Sequence, residues 1–224
     1  MTRKNIIYVF KAVFLIATFC IIDAWLRVMT RWIGQYSIFK LPPNLFTLCW
    51  ALILVCIIFL IPKLWIRRAV YGILYFLFEM YAVIQYGYWL IFNKFLYFSD
   101  FLLAGEGLGF AGYVRDIITP SIVMQVVALI FIGFLGVILM PNICEKKWKA
   151  VGYESVIAIL AVIGVTFVPK LYEGDASGAT WDSFQSPAYE YEKFINSEFD
   201  MELMGLYQYI VRDAWNQIKP RKPV

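Results

Sequence analysis

The chain has 224 residues, 62% of them hydrophobic and 16% charged, with a formal net charge of +4. A soluble domain carries roughly 45–50% apolar and about 25% charged residues, so an ordinary soluble enzyme is excluded. The small positive charge forms no basic stripe, which argues against a nucleic-acid partner, and the absence of histidine removes the commonest general base and transition-metal ligand together.

Five apolar runs, near residues 6–26, 45–61, 69–92, 121–140 and 150–168, approach or exceed the about 20 residues a helix needs to cross a bilayer. The predicted fold is all-α: a polytopic membrane protein with five transmembrane helices, interfacial helices and a juxtamembrane helical tail. Residues 1–170 form the membrane domain in this reading, and residues 171–224 form extracytoplasmic juxtamembrane helices and a linker.

The first run follows Arg3 and Lys4 and continues through Phe19 to Trp25 without a small-x-small site. It therefore reads as an uncleaved span and not as a signal peptide. Near its end Asp23 precedes Arg27 by four residues, the spacing of an ion pair on one helix face, read as a structural interface pair. In the third run Gly72, Tyr75, Glu79, Ala82 and Tyr86 recur at steps of three and four and share one face, which is expected to point into the bundle. A charge in mid-span costs about 2.5–3.5 kcal/mol on insertion scales, so Glu79 is expected to be protonated or paired, as a packed interior carboxyl or as a relay or headgroup ligand.

The connection 93–120 is long and mostly apolar. Phe95, Phe98 and Phe101 suit either an interfacial segment or a loop packed over the span ends. Gly107, Gly109 and Gly112 match G-x-G-x-x-G, but a dinucleotide fingerprint requires a strand and a βαβ unit, so the stretch reads as a flexible bend. The alternative is a backbone nest for an anionic lipid headgroup, with Arg115 as its cation and Asp100 and Glu106 beside it as further candidate lipid-binding residues.

In the fifth run Ser155, Ala158, Ala161 and Gly164 form a small-residue ridge for close helix packing. Glu154 is expected to snorkel toward Lys146, Lys147 and Lys149. Cys20, Cys49 and Cys56 lie in apolar runs and Cys144 in a basic loop, so no disulfide framework is indicated. In the tail, Pro187 opens a short helix and Asn196 or Ser197 caps a longer one, along which Leu203, Tyr207, Ile210, Val211, Ala214 and Ile218 follow a helical period. Residues 220–224, Pro-Arg-Lys-Pro-Val, read as a linker.

Lys and Arg are densest in the segments holding Arg3, Lys4, Lys63, Arg67, Arg68, Lys146, Lys147 and Lys149, and sparser around Arg27, Arg31, Lys40, Lys94 and Arg115. The positive-inside rule then places the N-terminus in the cytoplasm and the tail outside the cell membrane.

Three features together resemble the N-terminal membrane half of lipoteichoic acid synthases and related phosphoglycerol or phosphoethanolamine transferases of the sulfatase-like family. They are the five-span plan with its tail outside, the stretch Tyr97-Phe98-Ser99-Asp100-Phe101 leading to Gly107-Leu108-Gly109-Phe110, and the segment Gly205-Leu206-Tyr207-Gln208-Tyr209-Ile210-Val211-Arg212-Asp213-Ala214-Trp215. The resemblance covers nearly the whole chain. It implies a membrane anchor that presents phospholipid to an extracytoplasmic catalytic domain or partner protein, where a threonine nucleophile and a divalent metal act. None of those catalytic residues matches a position here, so no catalytic, metal or cofactor site is expected within the chain. A stand-alone scaffold or interaction protein is the alternative. A transporter fits less well, because no internal repeat or paired broken helices are visible.

Overall fold

The computed structural model describes residues 3–30, 41–101, 118–142, 148–174 and 186–218. Among them there is no strand. Helices α1 (Arg3–Met29), α2 (Leu41–Leu60), α3 (Leu64–Phe92), α5 (Pro120–Leu139) and α6 (Trp148–Phe167) are the long ones, and α4 (Phe98–Phe101) is a single turn. A 3₁₀ turn (Val168–Leu171) extends α6. The tail supplies α7 (Pro187–Lys193) and α8 (Ser197–Ile218). Five helices are long and apolar enough to cross a membrane, and the chain is a multi-pass membrane protein. The first span runs on to Met29, the second starts at Leu41 and the third at Leu64. All three thus start or end a few residues beyond the apolar runs.

The core follows from heptad-like spacing. Leu15, Phe19, Ile22 and Leu26 on α1 are fully buried, and Tyr71, Tyr75, Glu79, Ala82 and Tyr86 line one face of α3. This is the face anticipated from the sequence, although Gly72 is only half-buried. The Phe19 ring meets Tyr71 and Phe78 edge-on, with centroids 5.7 and 6.2 Å apart, the arrangement favoured by the quadrupole of an aromatic ring. Helix α1 packs against α2, α3, α5 and α8, and α2 against α1, α3, α6 and α8, while α5 packs mainly on α3. Tyr75 and Tyr71 fit against α5 because Gly133 and Gly136 have no side chains, and a Cβ at either would overlap those rings. Trp25 Nε1 donates to Gln125 Oε1 at 2.9 Å, tying α1 to α5.

On α6 the inward residues are Glu154 and Ala161, with Ala158 and Gly164 half-buried and Ser155 exposed, and Val168 continues the inward face into the 3₁₀ turn. The predicted ridge therefore serves packing at Ala158, Ala161 and Gly164 but not at Ser155, which lies off the inward face. Glu154 is buried, and its Oε1 accepts from the Tyr8 hydroxyl on α1 at 3.3 Å; the side chains of Lys146, Lys147 and Lys149, toward which it is expected to snorkel, lie outside the described residues. Phe95 differs from the interfacial reading. It is 4% exposed and belongs to the core, held there because its N–H donates to Ser197 Oγ at 3.1 Å. The segment 93–98 thus packs over the span ends, the second of the two readings of this connection.

The tail departs furthest from a simple amphipathic helix. Ser186 caps α7 ahead of Pro187, and Asn196 Oδ1 accepts from the N–H groups of Glu198 and Phe199, capping α8. Inside α8, however, Gly205 takes φ +67° and ψ 176°, breaking the helix into two limbs. The limbs return to one place: Ser197 and Asp200 on the first and Asp213 on the second all bond the segment 95–98. The vertex is buried in the bundle, with the Tyr207 hydroxyl donating to the Phe19 carbonyl at 2.7 Å. The Leu206 N–H at the vertex bonds Asp23, which lies about 9 Å along α1 from Met29, so the vertex sits below the end of α1. As a result Leu203 and Tyr207 are buried while Val211 and Ile218 are exposed, and the predicted single stripe is split at the glycine.

Candidate functional site

The vertex of α8 meets the bundle at a buried polar cluster. Asp23 is fully buried. Its Oδ1 accepts the Leu206 N–H at 2.7 Å, the first amide after the break. Its Oδ2 lies 2.6 Å from Arg27 Nη2 and 2.7 Å from the Thr47 hydroxyl. That hydroxyl also lies 2.9 Å from the Pro43 carbonyl, one turn back on α2, and shares its proton between the two. Only glycine suits position 205, since a Cβ there would stand 2.9 Å from Asp23 Oδ1 and 3.1 Å from Thr47 Oγ1, at a positive φ. The expected ion pair of Asp23 and Arg27 is therefore present, and it does more than join two turns of α1. It clamps the tail to α1 and α2.

Arg27 is the cluster's second pole. Nη2 also donates to Asn44 Oδ1 at 2.6 Å, which uses both of its hydrogens. Nε and Nη1 are buried and have no hydrogen-bond partner among the described residues. The guanidinium side chain is 10% exposed. Three N–H donors of a buried cation thus point at no acceptor, a costly arrangement unless something else supplies one.

A second polar group holds the limbs of α8 at the segment 95–98. Gln85 Nε2 donates to the Leu96 carbonyl at 2.9 Å and Gln85 Oε1 accepts the Leu96 N–H at 2.8 Å, a two-way amide pair. Asp213 Oδ2 accepts the Phe98 N–H at 2.7 Å. Burial pushes the Asp213 carboxyl up to about 6, opposed by that hydrogen bond. Burial likewise raises the Tyr97 and Tyr209 hydroxyls, so both remain neutral donors.

The other sequence candidates fall in three places. Asp100 accepts the Tyr97 N–H at 3.1 Å and caps the α4 turn, a local structural role. Glu79, expected to be protonated or paired, is buried on the α3 face with Oε1 lacking a hydrogen-bond partner among the described residues. Glu106, Gly107, Gly109 and Arg115 lie outside the described residues, as does the bend they belong to. Asp23 and Arg27 are the candidates brought together. Thr47, Asn44, Gly205 and the Leu206 amide escaped sequence reasoning, and an isolated glycine inside a helical period was the one available signal. Among the described residues no group of three or more Cys, Asp or Glu could hold a metal ion. No family model, curated protein or solved structure matches this chain.

Proposed function

We propose that the chain is the membrane anchor and lipid-presenting domain of a phosphoglycerol-transferase-like cell-envelope enzyme, not catalytic on its own. It lies in the cell membrane with its N-terminus in the cytoplasm and its tail outside, where an extracytoplasmic catalytic domain or partner protein receives phospholipid. The observation that supports this reading is the clamp between Asp23 and the α8 vertex. A tail that merely tethered a partner would need no buried polar anchorage, whereas one that holds a partner at a fixed height and angle over the lipid headgroups does. The large apolar surfaces of α5 and α6, with Phe131, Phe134, Ile159 and Leu160 exposed, suit contact with acyl chains.

Two measurements test the proposal. A reporter fused after Lys149 should be active only in the cytoplasm, and one fused after Val224 only outside. Purified chain in detergent should retain phosphatidylglycerol in preference to diacylglycerol in native mass spectrometry. An inverted topology, or equal retention of the two lipids, would overturn it.

A further inference from the structure

The structure assigns a phosphate-binding function to Arg27: its Nε and Nη1 donors take the phosphate of a phospholipid headgroup at the Met29 end of α1. The inference rests on the lipid-presenting reading and names the chemistry that does the holding. It starts from the donor count. Asp23 is engaged by three donors, those of Leu206, Thr47 and Arg27 Nη2, so it has little capacity left for the rest of the guanidinium. Asn44 takes the second Nη2 hydrogen. The remaining donors, on Nε and Nη1, are buried and face no acceptor among the described residues.

Three physical points select a phosphate. The donors belong to a permanent cation, and hydrogen bonds from a guanidinium to a phosphate oxygen are among the strongest a protein makes. Arg27 stands two residues before Met29, about 3 Å from the end of the helix, which is headgroup depth for a span that ends there. The third point is contrast with Arg67, also buried. Its Nε and Nη2 donate to the Ile61 carbonyl and its Nη1 to the Pro141 carbonyl, so every nitrogen of this arginine has a helix-end carbonyl as acceptor. Arg27 has the same chemistry with its acceptors missing.

The test uses the whole chain in dodecyl maltoside, titrated with palmitoyl-oleoyl-phosphatidylglycerol and read by native mass spectrometry. Dioleoylglycerol and inorganic phosphate serve as parallel probes. Arg27→Lys retains a cation for Asp23 but loses the guanidinium donors, and should weaken phosphatidylglycerol binding about tenfold, the equivalent of one charge-assisted hydrogen bond. Dioleoylglycerol binding should be equal in both proteins. The paired variant Asp23→Asn with Arg27→Gln preserves shape without charge and should show the same loss, which keeps the test decisive if Arg27→Lys folds poorly. Inorganic phosphate that protects wild type but not Arg27→Lys against heat supports the same donors acting on a free anion; phosphatidylglycerol binding without such protection supports a lipid-borne phosphate. Wild-type affinity for phosphatidylglycerol in either folded variant overturns the site while leaving the lipid-presenting reading intact. Wild type that does not distinguish phosphatidylglycerol from dioleoylglycerol overturns both.

Discussion

Replacing Asp23 by alanine removes three acceptor contacts at once: 2.7 Å to the Leu206 N–H, 2.7 Å to the Thr47 hydroxyl and 2.6 Å to Arg27 Nη2. Breaking a buried ion pair from one side costs about 3–5 kcal/mol, and stranding a buried N–H costs about 1–3 kcal/mol. The two do not simply add. Thr47 can fall back on the Pro43 carbonyl and Arg27 keeps Asn44, so the expected loss is about 4 kcal/mol. Asp23→Asn retains an Oδ1 acceptor for Leu206 and gives up the charge, for an expected loss of about 2 kcal/mol. Unfolding by sodium dodecyl sulfate in mixed micelles, followed by tryptophan fluorescence, reads both. Trp50 is a useful reporter because its Nε1 donates to Gln208 Oε1 at 2.9 Å beside the vertex. Amide hydrogen exchange supplies the local readout: Leu206 should lose protection in Asp23→Ala and keep it in Asp23→Asn. A loss below about 1 kcal/mol, or unchanged exchange at Leu206 in the alanine variant, would refute the clamp.

Gly205→Ala should destabilise by at least about 1–2 kcal/mol from its left-handed backbone alone, with more from the approach to Asp23 and Thr47, and the same detergent titration measures it. Gly136→Ala should cost about 1–3 kcal/mol by overpacking against the Tyr71 hydroxyl, and adding Tyr71→Phe should recover part of that loss. For Asp213, the folded carboxyl is raised from 3.8 to about 6, so the folded state binds the proton more tightly than the unfolded chain. Its contribution to stability is complete below about pH 4 and is lost as pH rises through about 6, by up to about 3 kcal/mol. Stability measured between pH 4 and 7 should therefore fall less steeply in Asp213→Asn than in wild type, and parallel curves would refute the assignment.

The spans and the buried face of α3 were legible because both are one-dimensional patterns: an unbroken apolar run marks lipid contact, and steps of three and four mark a helix face. The Asp23–Arg27 pair was legible for the same reason, since its partners sit one turn apart. What the pair does was not. Leu206 and Thr47 lie far from Asp23 in sequence, and no spacing rule reaches across such distances. The tail shows the same limit. Its period of apolar residues is real, but Gly205 interrupts it, and burial is decided by which limb faces α1 and α2, not by position on one helical wheel. Sequence left the placing of Phe95 open between two readings and gave no sign of the Tyr8–Glu154 bond, because each is decided by a distant partner, Ser197 for the former and Tyr8 for the latter.

Arg67 and Arg27 belong to opposite ends of α2, one bonding the carbonyl of Ile61 just past its last turn and the other bonding Asn44 in its first. At the Ile61 end the arginine meets carbonyls left free where α2 and α5 stop, groups that carry partial negative charge and need donors. Backbone alone therefore supplies an acceptor to each of its nitrogens. At the Asn44 end, where α1 stops and α2 begins, Arg27 bonds side chains alone, and Asp23 and Asn44 together occupy only one of its three nitrogens. Arg27 is thus left short of acceptors, beside the point where the tail enters. A carboxylate added at that end should test the argument directly. Thr47→Glu would supply an acceptor from within the chain, and it should compete with phosphatidylglycerol for Arg27, lowering lipid retention about tenfold while dioleoylglycerol binding holds. Undiminished phosphatidylglycerol retention in a folded Thr47→Glu protein would show that lipid binding does not depend on the open donors of Arg27.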